Sequence, residues 1–94
     1  MIFAVIGLLK QPALPKDRGF EAELNEHFAQ PHVRIVNAGY LRDAAGEPLG
    51  MMALIEVESF AQAQAFLEAS PFHRGGHYEK THVVEYDLEV GRLG

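Results

Sequence analysis

Residues 33–57 decide the fold, and they read VRIVNAGYL (33–41), RDAAGEPLG (42–50) and MMALIEV (51–57). Val, Ile, Leu and Tyr fill the first and last segments, whereas Gly, Pro and Asp are concentrated in the middle one. This contrast is typical of two antiparallel strands joined by a turn. We therefore predict a central β-hairpin on which the rest of the chain packs.

The length and composition indicate one ordinary globular domain spanning residues 1–94. Hydrophobic residues make up 48% of the chain and charged residues 22%, which excludes a disordered or fibrous protein. The chain has no cysteine, so it has no disulfide, no thiolate nucleophile and no cysteine zinc site. We expect a reducing, cytoplasmic environment.

The charge balance argues against nucleic acid as a partner. The chain has eight Lys and Arg and thirteen Asp and Glu, which gives a net charge of −5. Its basic residues form no cluster that could bind a phosphate backbone. The apolar residues 1–9 are too short to span a bilayer and lack the basic region and cleavage site of a leader. We expect a small molecule or another protein as partner, and no membrane.

The N-terminal third of the chain predicts a strand, a loop and a helix. Residues 2–9 (IFAVIGLL) are apolar on both faces, as in a central strand covered on each side, and two prolines make residues 10–17 a loop. A helix should run from about Asp17, as N-cap, to Gln30. Its buried face would consist of Phe20, Leu24, His27 and Phe28.

The C-terminal half predicts a strand, a helix and a final strand. The hairpin strands should cover residues 33–41 and 51–58, and Ser59 and Gln62 have the spacing of a capping box, so a helix should begin there and end at Ala69. Pro71 and the glycines that follow it break that helix, and residues 78–90 return to a strand with one polar face. The buried face of the second helix would consist of Phe60, Ala63, Phe66 and Leu67.

The order β-α-β-β-α-β predicts an α+β, ferredoxin-like sandwich with both helices on one face of an antiparallel sheet. The other face would be bare although its strands are apolar on both sides. A soluble monomer does not tolerate so large an apolar patch. We therefore predict a homodimer, with the two sheets face to face in a dimeric α/β barrel.

Three motifs resemble the YciI-like (YCII-related) family of the dimeric α/β-barrel superfamily. They are NAGYLRDAAGEPLG (37–50), ESFAQA (58–63) and SPFHRGG (70–76), and together they span most of the chain. In that family the hairpin commonly reads A-G-P-L-x-D-x-x-G-x-x-x-G, and the second helix ends in D-P-F followed by a glycine. The resemblance implies a dimer with a small pocket in each protomer.

The sequence departs from the family pattern at its chemical positions. Many members have a His-Asp pair suspected of acid/base chemistry, but the histidine position falls near Ala22 and strand one ends in Lys10 without an acid. Tyr40 replaces the usual proline of the hairpin, and Ser70 replaces the usual aspartate. The family's ordinary dyad is therefore absent from this chain.

Topology predicts where a pocket would lie. The end of strand one, the start of helix one, the hairpin turn, the end of helix two and the start of strand four share one edge of the sheet. His27 and His32 fall at the opposite edge. Imidazoles, a carboxylate, a phenol and cations there could bind a small anionic or phenolic ligand and move a proton. We predict Asp43 and His73 as catalytic, with His77 as an alternative to His73. The predicted ligand-binding residues are Arg18, Tyr40, Phe72 and His77, and Lys10 and Arg42 lie at the same edge.

Simpler interpretations of these residues stay open. Asp43 could merely cap the hairpin turn, and His73 and His77 could be solvated residues beside a glycine break. His27 beside Phe28 would then be a half-buried packing residue. No metal site is expected, because Gly75-Gly76 separates His73 from His77, and no phosphate loop, nucleophile elbow or dinucleotide motif implies a cofactor.

Two function classes remain from the sequence. One is a cofactor-independent lyase or isomerase that works by proton abstraction, and the other is a non-catalytic dimeric module that binds a metabolite or a protein.

Overall fold

The computed structural model describes residues 1–93, and these residues form one four-stranded sheet and three helices. In chain order the elements are β1 Ile2–Leu9, α1 Phe20–Ala29, β2 Arg34–Arg42, β3 Pro48–Glu56, α2 Phe60–Ala69, α3 Pro71–Arg74 and β4 Tyr78–Glu85. The two long helices and four strands follow the predicted βαββαβ order.

The sheet has the strand order β2-β3-β1-β4, and every neighbouring pair is antiparallel. The central hairpin places Tyr40 opposite Met51, and β1 pairs with β3 so that Ile6 lies opposite Met52. This order is that of a ferredoxin-like sandwich, so the predicted fold class is confirmed.

The core lies between one face of the sheet and the helices. Phe3 on β1, Ile55 on β3 and Ala63 on α2 are fully buried there. Because side chains alternate across a strand, the odd-numbered residues within 3–5 of β1 and within 51–55 of β3 enter this core. Removing these side chains from water is the main favourable term for folding.

The opposite face of the sheet carries no helix and is apolar along its two central strands. Strand alternation places Ala4 and Ile6 of β1 on this face, where they pair with Leu54 and Met52 of β3. Ala4 and Leu54 are buried, whereas Ile6 and Met52 are partly exposed. Val84 of β4 lies beside Ala4 and keeps 48% of its surface exposed. This open face is the one that the predicted second copy would cover.

A close approach between Tyr78 and β1 depends on Gly7. An added Cβ at Gly7 would lie 2.2 Å from Cζ of Tyr78, because the phenol ring rests directly on the strand backbone. A register shift in the pairing of β1 with β4, between Leu8 and Leu9, brings Tyr78 to this position. Only glycine leaves room for the ring there.

The predicted start of α2 is confirmed, whereas that of α1 is wrong. Ser59 is the N-cap of α2, and its Oγ accepts a hydrogen bond of 3.2 Å from the Gln62 N–H. Helix α1 begins after Gly19 with no side-chain cap. The Asp17 backbone carbonyl instead accepts from Gly19 and Phe20, which makes a tight turn before the helix.

Strand β4 is shorter than predicted because its partner ends. The Tyr86 N–H donates to the Ile2 carbonyl at the start of β1, so no β1 residue remains to pair with the predicted positions up to Val90. Val90 is accordingly 90% exposed.

Two details of the helical layer also differ from the prediction. Pro71 breaks α2 as predicted but also begins the short helix α3. Phe60, predicted to be buried, is 52% exposed although its ring contacts Phe3 edge to face.

None of the helices in residues 1–93 is long and apolar enough to cross a membrane.

Candidate functional site

The predicted sheet edge holds a closed aromatic cluster. Phe72 is 1% exposed and His77 is 7% exposed, with ring centroids 5.8 Å apart. The Phe20 ring lies edge to face with both, at 4.8 and 5.2 Å. The Lys10 N–H donates to the His77 carbonyl over 2.9 Å, which ties the end of β1 to the segment before β4. Phe72 and His77 therefore do meet, but as part of the core.

Lys16 covers this cluster from the loop before α1. Its Nζ lies 5.2 Å from the centroid of Phe20 and 5.6 Å from that of Phe72, within the range of a cation–π contact. The sequence analysis did not single out Lys16. Arg18, which it did, is an exposed residue of the same loop.

Asp43 is engaged in the hairpin turn. Its Oδ1 accepts hydrogen bonds from the Ala45 and Glu47 backbone N–H groups, at 2.9 and 3.0 Å. Nowhere in residues 1–93 does a hydrogen bond or an ion pair join Asp43 to His73 or His77. His73 is exposed on α3. The structure thus does not bring the predicted catalytic groups into contact, and their role stays a prediction.

Tyr40 and Arg42 form a pair of their own on β2. The Arg42 guanidinium lies 5.8 Å from the Tyr40 ring centroid and donates to the Gly46 carbonyl over 2.9 Å. Tyr40 is 43% exposed. This pair braces the hairpin turn and leaves the phenol accessible.

A groove of about 1030 Å³ lies between α1 and α2, away from the predicted sheet edge. Val33, Val57 and Phe66 give it an apolar surface. Glutamates surround that surface from three elements. They are Glu23 and Glu26 on α1, Glu56 on β3 and Glu58 in the connection to α2.

His27 occupies the middle of the groove wall. Its ring is half-buried, 4.3 Å from the Phe66 centroid at an interplanar angle of 32°, and 5.6 Å from Phe28. Burial, aided by the positive charge of Arg74, lowers the pKa of His27 below its ordinary value of 6.5. Near pH 7 the imidazole is therefore neutral and keeps one nitrogen as a hydrogen-bond acceptor.

A second, much smaller cavity lies behind His27 and Phe66. Its volume of about 20 Å³ suits a single water molecule, and Ser70 and Tyr78 are among its walls. Burial raises the pKa of Tyr78 to about 12, against the smaller opposing effect of a hydrogen bond with Ser70. The phenol is thus protonated throughout the neutral range, and His27 and Phe66 separate it from the groove.

Among residues 1–93, no group of three or more His, Asp or Glu side chains lies close enough together to hold a metal ion. The three histidines that are close in sequence are in different environments. His77 is buried beneath the helices, His73 is exposed on α3, and His82 is an exposed residue of β4 opposite Ile6.

The sequence analysis missed the groove, although part of its signal was present. Glu23, His27 and Gln30 have the spacing of one helix face, and all three line the groove. The prediction placed His27 on the buried face of this helix, and neither Glu23 nor Gln30 was assigned to a site. The separation of α1 from α2, which creates the volume, has no signature in local sequence.

Comparisons with known proteins bear on the fold. No protein-family model matches the chain, and a search of curated proteins found no match. A solved structure does match, namely 5-chloro-2-hydroxyhydroquinone dehydrochlorinase from Burkholderia phenoliruptrix AC1100 in complex with 2,5-dihydroxybenzoquinone. The TM-score is 0.67 at 16% sequence identity, over 95% of this chain and 96% of that chain. At this level of identity the likeness shows the fold alone, which is the ferredoxin-like fold described above.

Proposed function

We propose that this protein acts on a small phenolic or quinone-type metabolite, which binds in the groove between α1 and α2. His27 would accept the hydrogen bond of the ligand's hydroxyl. The observation that carries the proposal is the position of His27, which is half-buried in the groove against Phe66 and has a lowered pKa.

The groove has apolar and aromatic side chains that can bind a flat aromatic ring. Val33 supplies an apolar contact, and the half-buried His27 ring, which packs on the buried Phe66, supplies an aromatic one. Aromatic rings attract one another in offset or edge-to-face arrangements at centroid distances of about 4.5–7 Å. A pocket that is mostly apolar with a few placed polar groups is the usual form of a small-molecule site.

The same geometry supports acid/base chemistry without a cofactor. A neutral imidazole can take the proton of a hydroxyl that electron-withdrawing groups have made more acidic, as in a halogenated hydroquinone. The O–H bond breaks, an N–H bond forms on His27, and the oxyanion remains near the Arg74 guanidinium, which shares the groove. A lyase or isomerase could begin with this step.

The fold neighbour supports the choice of ligand. The dehydrochlorinase acts on a chlorinated hydroxyhydroquinone and was solved with a dihydroxybenzoquinone. The aromatic character of the groove agrees with a ligand of that kind.

Binding of the neutral phenols hydroquinone and 4-ethylphenol, followed by NMR titration, tests the proposal. We expect shifts in the signals of His27 and Phe66, and a loss of affinity of about tenfold in His27→Phe, which keeps an aromatic ring but removes the hydrogen-bond acceptor. The double variant Asp43→Ala/His73→Ala should bind as the wild type does. If that double variant loses binding while His27→Phe retains it, the ligand binds at the hairpin edge and the groove assignment is wrong.

A non-catalytic binding module is the second candidate. It is favoured by the absence, among residues 1–93, of any ion pair between His27 and a carboxylate that would orient the imidazole as a base. Turnover of a hydroxyquinone that His27→Gln abolishes would exclude this candidate. Binding without turnover would support it.

Three further properties are part of the proposal. Membership of the YciI-like family is supported by the order of the three motifs and by the shared fold. A homodimer is supported by the apolar open face of the sheet. A cytoplasmic location is supported by the lack of cysteine.

A further inference from the structure

Ser70 and Tyr78 form a polar pair behind the wall of the groove. Ser70 is only 7% exposed, and its Oγ accepts a hydrogen bond of 3.2 Å from the Phe72 N–H. Burial raises the pKa of Tyr78, and a hydrogen bond with Ser70 opposes that rise. A bond with this effect is one that the phenol oxygen accepts, so Ser70 is its donor. The Tyr78 O–H is therefore left to donate to a further group.

The hydroxyl end of Tyr78 reaches the small cavity of about 20 Å³. Cζ, which carries the hydroxyl, is the ring atom nearest to an added Cβ at Gly7, and Gly7 lines this cavity. Ser70, Tyr78 and His27 line it too, and its remaining walls are apolar. Because the volume admits one water-sized sphere, a molecule there contacts these walls. Three polar side chains meet the need of a buried water for about two to four partners.

His27 connects this cavity with the groove. Its ring lines both spaces, so one side of the imidazole faces each of them. A neutral imidazole carries a proton on one nitrogen and a lone pair on the other. The two tautomers of His27 therefore differ in which of these faces the groove, and only one of them can accept a hydrogen bond there.

From these contacts we infer that the cavity binds one water molecule, which accepts hydrogen bonds from Tyr78 and His27 and so turns the imidazole lone pair toward the groove. Ser70 and Tyr78 are then positioning residues for His27. The inference rests on the proposed function, in which His27 accepts the hydrogen bond of a phenol. The water replaces the carboxylate or carbonyl that often fixes the tautomer of a histidine.

The hydrogen bonds of this arrangement are complete. The two lone pairs of the water accept from the Tyr78 O–H and the His27 N–H, and one of its protons is donated to the free lone pair of Ser70 Oγ. About three hydrogen bonds are usual for a buried water. The opposite tautomer could also bond to the water, but Arg74 disfavours it. Arg74 lines the groove, and its positive charge acts on His27, so it attracts the lone pair to the groove side.

Nitrogen NMR of the ligand-free protein at a pH well above 6.5 measures the tautomer of His27 directly. We expect a single tautomer, which hydroquinone leaves unchanged when it binds. The exposed His73 is an internal reference, since an imidazole in water should populate both forms. A crystal structure should show one water about 2.7–3.2 Å from Tyr78 Oη and from the protonated nitrogen of His27.

Tyr78→Phe removes the hydroxyl and keeps the ring that stacks on Phe72. His27 should then populate both tautomers, and the affinity for hydroquinone should fall by about twofold if they become equal, because only one form accepts. The matched control is Tyr86→Phe, which removes an exposed phenol outside both cavities and should change neither quantity. Ser70→Ala should also mix the tautomers, whereas Ser70→Thr, which keeps the hydroxyl, should retain the single form.

The outcomes separate this inference from the proposed function. The inference is wrong if His27 shows the same mixture as His73, if hydroquinone inverts its tautomer, or if the cavity holds no water. It is also wrong if Tyr78→Phe and Ser70→Ala both keep the single form. In each of these cases, binding of the phenols in the groove leaves the proposed function standing. If the water and the single tautomer are found but neither hydroquinone nor 4-ethylphenol binds, the water site stands and the proposed function fails.

Discussion

At the scale of single residues, the sequence and the structure lead to different interpretations of His27. In the sequence it is a histidine on a helix face beside Phe28, for which packing is the simplest interpretation. The structure keeps it half-buried and also places it against Phe66 of α2, on the wall of the groove. Packing and proton exchange are compatible there, because burial holds the ring neutral.

The lowered pKa of His27 predicts a stability change at mildly acidic pH. The unfolded chain binds a proton at His27 near pH 6.5, whereas the folded chain binds it only at lower pH. In that window the unfolded state holds more protons, so the free energy of unfolding should fall as the pH is lowered from 7.5 through 6.5 to the folded pKa. Urea unfolding at a series of pH values measures this.

His27→Gln should flatten that part of the pH profile. His73→Gln, which removes an exposed imidazole outside the groove, is the matched control and should keep the wild-type slope. An identical slope in wild type and His27→Gln would contradict the assigned pKa shift.

At the scale of the elements, the contact between β1 and β4 depends on Gly7, because the Tyr78 ring occupies the space where a side chain would lie. Gly7→Ala would place a Cβ against the Tyr78 ring, which cannot withdraw because it stacks on Phe72 with centroids 5.5 Å apart. We expect a loss of about 1–3 kcal/mol in the free energy of unfolding, as is typical of overpacking. Urea unfolding of the variant checks this.

Gly39→Ala on β2 is the control for that substitution. Nothing lies within 4 Å of an added Cβ at this position, so the free energy of unfolding should change by less than about 0.5 kcal/mol. Equal losses in both variants would show that the ring of Tyr78 does not rest on β1.

Helix α2 depends on its first turn, where the side chain of Ser59 satisfies an N–H group that has no partner within the helix. Ser59→Ala should reduce the free energy of unfolding by about 1 kcal/mol, because the Gln62 N–H loses its acceptor. Ser59→Asp keeps an acceptor at the same position and should stay within a few tenths of the wild type. Thermal unfolding by circular dichroism ranks the three proteins, and an unaffected Ser59→Ala would mean that the cap contributes nothing.

At the scale of the whole molecule, the open face of the sheet is the feature that a monomer leaves unexplained. Ile6 and Met52 lie on it at the centre of the sheet and are partly exposed. Sedimentation velocity at micromolar concentration should therefore find two copies of the chain associated through this face.

Met52→Lys should convert that dimer into a folded monomer, because a charge would be buried between the sheets without a partner. Leu49→Lys, at an apolar position that is already 40% exposed, should leave the dimer intact. A wild-type protein that sediments as a single folded chain would contradict the face-to-face arrangement and weaken the family assignment.

The sequence by itself determined the kind and order of the main elements, because these follow from local rules. The hairpin was predictable from the contrast between its apolar strands and its turn, and the start of α2 from the Ser59–Gln62 spacing. The turn-capping role of Asp43 was among the open interpretations for the same reason, since an aspartate that starts a turn accepts nearby N–H groups.

Only the tertiary structure decided where the elements stop and where the site lies. Strand β4 ends where β1 has no further residue to pair with it. The sequence of residues 86–90 does not indicate this end. The contact between His27 and Phe66, and the groove around it, exist because α1 and α2 pack on the same sheet but stay apart. Such distances depend on the packing of residues remote in the chain, and local patterns carry no information about them.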